Sequence, residues 1–256
     1  MSKPDDFTEE TWPRLREAME TGGPTSVAEL IAGFEDAKQR RQLAFFAHRA
    51  FSGRDWRGKT LDALAEVTRL GMDEMLAQAS SAESEDDRVR FIDLANVMSY
   101  NLSADLADCW PGDEIPRTRE HFEQGLASAE RCLEWRRELG KGPGPFSMAW
   151  WAKGIHELSL GRADDALASF EESQRHAVEG AEAEGQATTI DANGHWSVLL
   201  AEGYVALAAA RQGAEGADAR LDRCLEAIGA AIQAQPDEAG NLGFCRDQLE
   251  VVRGQA

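Results

Sequence analysis

The amino-acid sequence predicts an all-α chain of about ten or eleven helices in consecutive antiparallel hairpins, with no β-sheet. Three observations carry this expectation. The eight prolines, at 4, 13, 24, 111, 116, 143, 145 and 236, leave two long proline-free stretches, 25–110 and 146–235, as a chain of helices requires. Those stretches are rich in Ala, Leu, Glu and Arg, the residues with high helix propensity. Alternating Val/Ile/Thr/Tyr runs are absent, and the one Asn-Gly pair, Asn193-Gly194, precedes a helical run instead of joining two strands. The alternative within the same class is an irregular α-helical bundle.

The elements follow from start and stop signals. Pro13 suits a first turn and predicts a short helix over 12–21 that stops at Gly22-Gly23-Pro24, making 1–24 an N-terminal segment. Ser26 and Glu29 have capping-box spacing before the next helix, which breaks near Asp36 and resumes through QRRQLAFFAHRAF to Gly53. Leu61, Leu64, Ala65, Val67, Leu70 and Met75 form one apolar stripe. Phe91, Leu94, Ala95, Met98, Leu102 and Leu106 form another, after the acidic SSAESEDD. CWPGDEIP reads as a turn, a helix follows over 117–139, and GKGPGP at 140–145 is the sharpest break. Further helices are expected over 146–160, 163–179, 188–212, 215–234 and 237–252. Residues 25–256 read as one helical-repeat domain, with a subdivision expected, if anywhere, near 140–145.

Composition removes several function classes. The chain of 256 residues carries a formal charge of −19, with 46 acidic against 27 basic side chains. That balance excludes a phosphate backbone as partner, because nucleic-acid affinity rests on Lys and Arg. No apolar run approaches the roughly 18 residues of a spanning helix, so no membrane partner is expected. MSKPDDFTEETW has no apolar core of a secretory signal, and the four cysteines are scattered, so a cytoplasmic location is expected.

Short self-similarities sit in the second helix of each hairpin. GLASAERCLE at 125–134 is similar to ALASFEESQR at 166–175, and RCLE occurs at 131–134 and 223–226. The segment AWWAKGIHELSLGRADDALASFEES, 149–173, resembles a tetratricopeptide repeat. The positions that carry the resemblance are Trp150, Gly154, Gly161, Ala166 and Phe170. Lys153 and Glu157 depart from the pattern, and no proline closes the unit. A weaker match runs from Leu199 through Gly203 into ARLDRCLEAI, while 28–80 and 89–139 match only in their second helices.

The resemblance implies that Trp150, Gly154, Gly161, Ala166 and Phe170 are packing residues. It also implies that the first helices of successive hairpins line a concave groove, which turns Met148, Trp151 and Ile155 toward a ligand. Adjacent helical residues point about 100° apart, so Trp150 and Trp151 cannot share one seam. On that reading Trp150→Ala costs about 3–5 kcal/mol and Trp151→Ala much less. The alternative is that Trp151 packs on an adjacent helix. The family's carboxylate clamp needs Lys and Asn where Trp151 and Ile155 stand, so a ligand here should be hydrophobic or amphipathic.

Signatures of catalysis are lacking in the sequence. Cys109, Cys132, Cys224 and Cys245 form no C-x-x-C pair and have no His at metal-ligand spacing, so free buried thiols are expected. His48, His121 and His176 read as surface residues. His156 and His195 have tryptophan neighbours and join the candidate binding residues, as does Asn101, which recurs with Asp105 and Asp108 on nearly one helix face. GKGPGP lacks the order of a phosphate loop. The expected function is therefore non-enzymatic: a module that binds a protein or peptide, basic or amphipathic, without metal or cofactor. A small-molecule-binding or enzymatic helical domain is the alternative, and an acidic inhibitor of a basic protein the minor one.

Overall fold

The computed structural model describes residues 6–255. They are 79 % helical and contain no strand. Ten α-helices follow in order: α1 Asp6–Ala32, α2 Ala37–Gly53, α3 Leu61–Ser80, α4 Glu85–Leu106, α5 Arg119–Glu138, α6 Pro143–Ser159, α7 Ala163–Ala183, α8 Trp196–Arg211, α9 Ala217–Ala234 and α10 Ala239–Gly254. A 3-10 turn, Pro236–Glu238, precedes the last. Packing is mostly between neighbours in sequence, as short connections impose. The chain divides into two compact units, 1–105 and 106–256. The division falls at the end of α4.

In the first unit, capping side chains set the helix starts. Asp36 accepts from the Lys38 amide at 2.8 Å, Thr60 from Ala63 at 3.2 Å and Ser84 from Asp87 at 3.1 Å. Gly23, at φ 70°, leaves the helical conformation just before Pro24 and divides α1 into two helical pieces at the stop that the sequence predicts. The core gathers Leu15, Val27, Leu43, Phe51, Met75 and Met98. Gly71 lets α4 approach α3, since a Cβ there would lie 2.6 Å from Met98 Cε.

His48 is buried in this core, contrary to the surface expectation, because its ring pairs with Thr68 Oγ1 at 2.9 Å. The Thr68 hydroxyl proton goes to Leu64 O at 2.7 Å, so its oxygen accepts from an Nδ1–H tautomer. Burial lowers the pKa of His48 to about 4. A histidine with a depressed folded pKa binds fewer protons folded than unfolded, so its contribution to stability is lost as pH falls. The first unit should lose about 3 kcal/mol between pH 6.5 and pH 4 from this group. An NMR titration should place the His48 midpoint near 4; a midpoint near 6.5 would refute the shift.

In the second unit, α5 and α6 turn tightly through 139–142. Gly140, at φ 59°, permits the Lys141 amide to reach Arg136 O at 3.0 Å, and the Arg136 guanidinium donates to Pro145 O. The break at GKGPGP is therefore a hairpin turn with α6 starting at Pro143. His121, expected at the surface, is buried because it forms a capping box with Thr118: its amide donates to Thr118 Oγ1 at 3.3 Å, and its Nδ1 accepts from Thr118 N at 3.1 Å. The helix expected from 188 begins only at Trp196. An Asx turn at Asp191, whose Oδ1 accepts from Asn193 N at 2.8 Å, breaks it, and Gln235 Nε2 donates to Ala192 O at 2.9 Å.

Gly154 sits against Phe170: a Cβ at Gly154 would be 2.7 Å from the Phe170 ring carbons. Gly161, at φ 77°, makes the turn between α6 and α7, and Ala166 is fully buried in α7. Gly203 of α8 likewise makes room for Leu249 of α10, whose Cδ1 would be 2.4 Å from an added Cβ. Small residues facing large ones let these helices close to van der Waals contact.

Candidate functional site

The residues singled out on α6 do not form an open groove. Met148 is exposed, but Trp151, Ile155 and His156 are buried, Trp151 at 8 % exposure and His156 at 0 %. The expectation for the two tryptophans is reversed: Trp150 is half-buried, with Lys153 Nζ 5.6 Å from its ring, and Trp151 faces inward. The reason lies in what covers Trp151. Its ring meets Trp110 at 5.8 Å and Tyr204 of α8 at 6.0 Å. His156 is wedged against α5, where a Cβ on Gly125 would fall 2.2 Å from its ring, so it faces no ligand.

The other candidates are dispersed. Asn101 is half-buried on α4; Asp105 of that helix accepts from Ser52 Oγ at 2.9 Å, and Asp108 lies beyond the helix end. Asn101 and Asp105, one turn apart, share a face of α4, and Asp108 does not join them. His195 stands at the start of α8, its Nδ1 2.8 Å from Ser197 Oγ and its ring tilted on Trp196.

The structure instead brings together residues that sequence spacing could not connect. The non-helical residues 107–110 lie against α6, α8 and α10 of the second unit. Gln255 Nε2 donates to Asp108 O at 2.8 Å, and Gln248 Nε2 donates to Cys109 Sγ at 3.5 Å. The Trp110 ring stacks on Phe244 of α10 at 5.7 Å while touching Trp151. Phe244, at 47 % exposure, ends an aromatic series that runs inward through Trp110, Trp151 and Tyr204 to Phe170, the last two stacked at 4.9 Å.

Tyr204 is fully enclosed, and burial first, then the Cys109 thiol beside it, raises its phenol well above the ordinary value. The Tyr204 hydroxyl lies beside the Trp151 indole and the Cys109 thiol, while Gln248 Oε1 is buried with no hydrogen-bond partner among the described residues. Such an unpaired atom costs about 1–3 kcal/mol.

All four cysteines are free and buried. Burial pushes the Cys132 thiol to about 11 and those of Cys224 and Cys245 to about 12, and it raises Cys109 as well. A thiol reagent at pH 8 should therefore label none of the four in native protein and all four in denaturant. Rapid native labelling of any one would contradict the burial.

A polar network occupies the opposite flank of α6. The Glu157 carboxylate, fully buried, accepts from Lys153 Nζ at 2.5 Å and from Ser169 Oγ of α7 at 2.6 Å, with Arg162 Nη2 at 3.8 Å. The two departures from the repeat pattern, Lys153 and Glu157, are thus partners one helical turn apart. In the first unit, a cavity of about 310 Å³ opens between α1, α2 and α3, lined mainly by apolar atoms of residues such as Ile31, Val67 and Leu70. No group of three or more His, Cys, Asp or Glu among the described residues is placed to hold a metal ion, and no described helix is long and apolar enough to cross a membrane. Comparison with known proteins finds no match: no family model, no curated protein and no solved structure corresponds to this chain.

Proposed function

We propose that the protein is a non-enzymatic, tetratricopeptide-like interaction module that binds a protein or peptide segment. One observation carries this reading: residues 107–110 lie without helical structure across α6, α8 and α10, held by a side-chain bond to the Asp108 carbonyl and by the Trp110 ring. Backbone hydrogen bonding combined with an aromatic anchor is the chemistry by which folded domains hold extended peptides. The close pairing of Gly154 with Phe170, the turn at Gly161 and the consecutive helix pairs support the repeat-like architecture. The charge of −19 favours a basic or amphipathic partner by steering encounter.

The reading is tested by panning a random twelve-residue peptide library on phage against the full chain. Enrichment of sequences with one aromatic residue is expected, and their synthetic forms should bind at micromolar affinity. Failure to enrich any sequence, together with a metabolite that raises the melting temperature by several degrees, would replace the peptide module with a small-molecule site.

A further inference from the structure

Connecting segments normally stay with water, because buried loop backbone loses its hydrogen-bond partners. Residues 107–109 break that rule: they have no regular structure, yet Ala107 and Cys109 are fully buried. Their burial is accomplished by side chains of α6 and of α10 with its cap, two elements far apart in sequence. Gln255 takes the Asp108 carbonyl, Gln248 approaches Cys109, and Trp151 and Phe244 both contact the Trp110 ring.

The fit is incomplete in a way that describes a better ligand. A packed core normally satisfies its buried polar atoms. Here Gln248 Oε1 stands without a partner among the described residues, on the residue whose Nε2 donates to Cys109 Sγ. An occupant offering a donor to the Gln248 oxygen would make a bond that the resident segment does not.

We propose that α6, α8 and α10 form a groove for an extended aromatic segment of another protein, and that Asp108–Trp110 is the tethered occupant this partner displaces. The proposal rests on reading the protein as a peptide-binding module and names the surface and its ligand. The partner segment carries Trp or Phe after a small residue, matching Trp110 and Cys109. Its flanks are neutral or basic, because acidic flanks would be repelled by a chain of charge −19. The resident segment competes at the roughly millimolar effective concentration of a short tether.

The test uses full-length protein and a fluorescein-labelled peptide of residues 105–116 carrying Cys109→Ser, Asp105→Lys, Asp113→Lys and Glu114→Lys. By fluorescence anisotropy, Trp110→Ala protein should bind this probe at least tenfold tighter than wild type. Adding Phe244→Ala should remove at least tenfold of that affinity. Equal affinity of wild type and Trp110→Ala, or no saturable binding by a cooperatively melting Trp110→Ala, overturns the proposal. A second measurement needs no mutation: millimolar probe should accelerate iodoacetamide labelling of Cys109 in wild type at least fivefold, with Cys224 unchanged, and an unchanged Cys109 rate is equally decisive against it. A phage-selected peptide that binds wild type and Trp110→Ala alike would leave the interaction module standing and remove only the tethered occupant.

Discussion

Trp151→Ala is expected to destabilise the second unit by about 3–5 kcal/mol, and the neighbouring Trp150→Ala by about 1–2 kcal/mol. Trp151 is 8 % exposed and packs its ring on Trp110 and Tyr204, so truncation opens a cavity between three elements that have no other way to close it. Trp150 is half-buried, with Lys153 over its ring, and its removal leaves a dent that water fills. Urea unfolding followed by circular dichroism, supported by amide exchange in α6, would measure both. Equal losses, or a larger loss for Trp150→Ala, would show that the inward orientation of Trp151 is wrong.

Glu157→Ala should cost a similar amount, about 3–5 kcal/mol, for a different reason. The carboxylate is fully buried, so the penalty of removing it from water is already met by Lys153 and Ser169 in the folded state. Truncation leaves the Lys153 ammonium, at 19 % side-chain exposure, without its counter-charge, and leaves the Ser169 hydroxyl without an acceptor. Glu157→Gln keeps the shape and one acceptor and should lose less. The double variant Lys153→Leu/Glu157→Leu removes both charges and should recover much of the stability, since apolar isosteres of a buried ion pair are often no worse than the pair. A Glu157→Ala loss below about 1 kcal/mol would mean that the pair is solvated, because exposed ion pairs contribute no more than that.

These two residues also mark where reading the chain in one dimension stops. Lys153 and Glu157 look like defects in an otherwise apolar repeat, yet they are one helical turn apart and meet a serine on the next helix. The i,i+4 spacing is legible in the sequence; Ser169 as third partner is not, since the α6–α7 crossing places it there. His48 and His121 show the same limit. Each is buried with a hydrogen-bonded threonine beside it, Thr68 or Thr118, and composition does not reveal which polar side chain a histidine will find.

The sequence by itself determined the helical class, the places where most helices begin and end, and the absence of strands among the described residues. Those features are local: proline position, capping side chains, left-handed glycines and apolar periodicity act within about one turn of the residues that carry them. Tertiary structure alone decided which face of α6 is covered, and by what. Periodicity assigns Trp151 to a helix face but says nothing of a connecting segment some forty residues earlier in the chain, and the stack of Trp110 on Phe244 joins positions more than a hundred residues apart. Contacts of that range depend on how several helices cross, a geometry set by the summed fit of many side chains and not by any one of them.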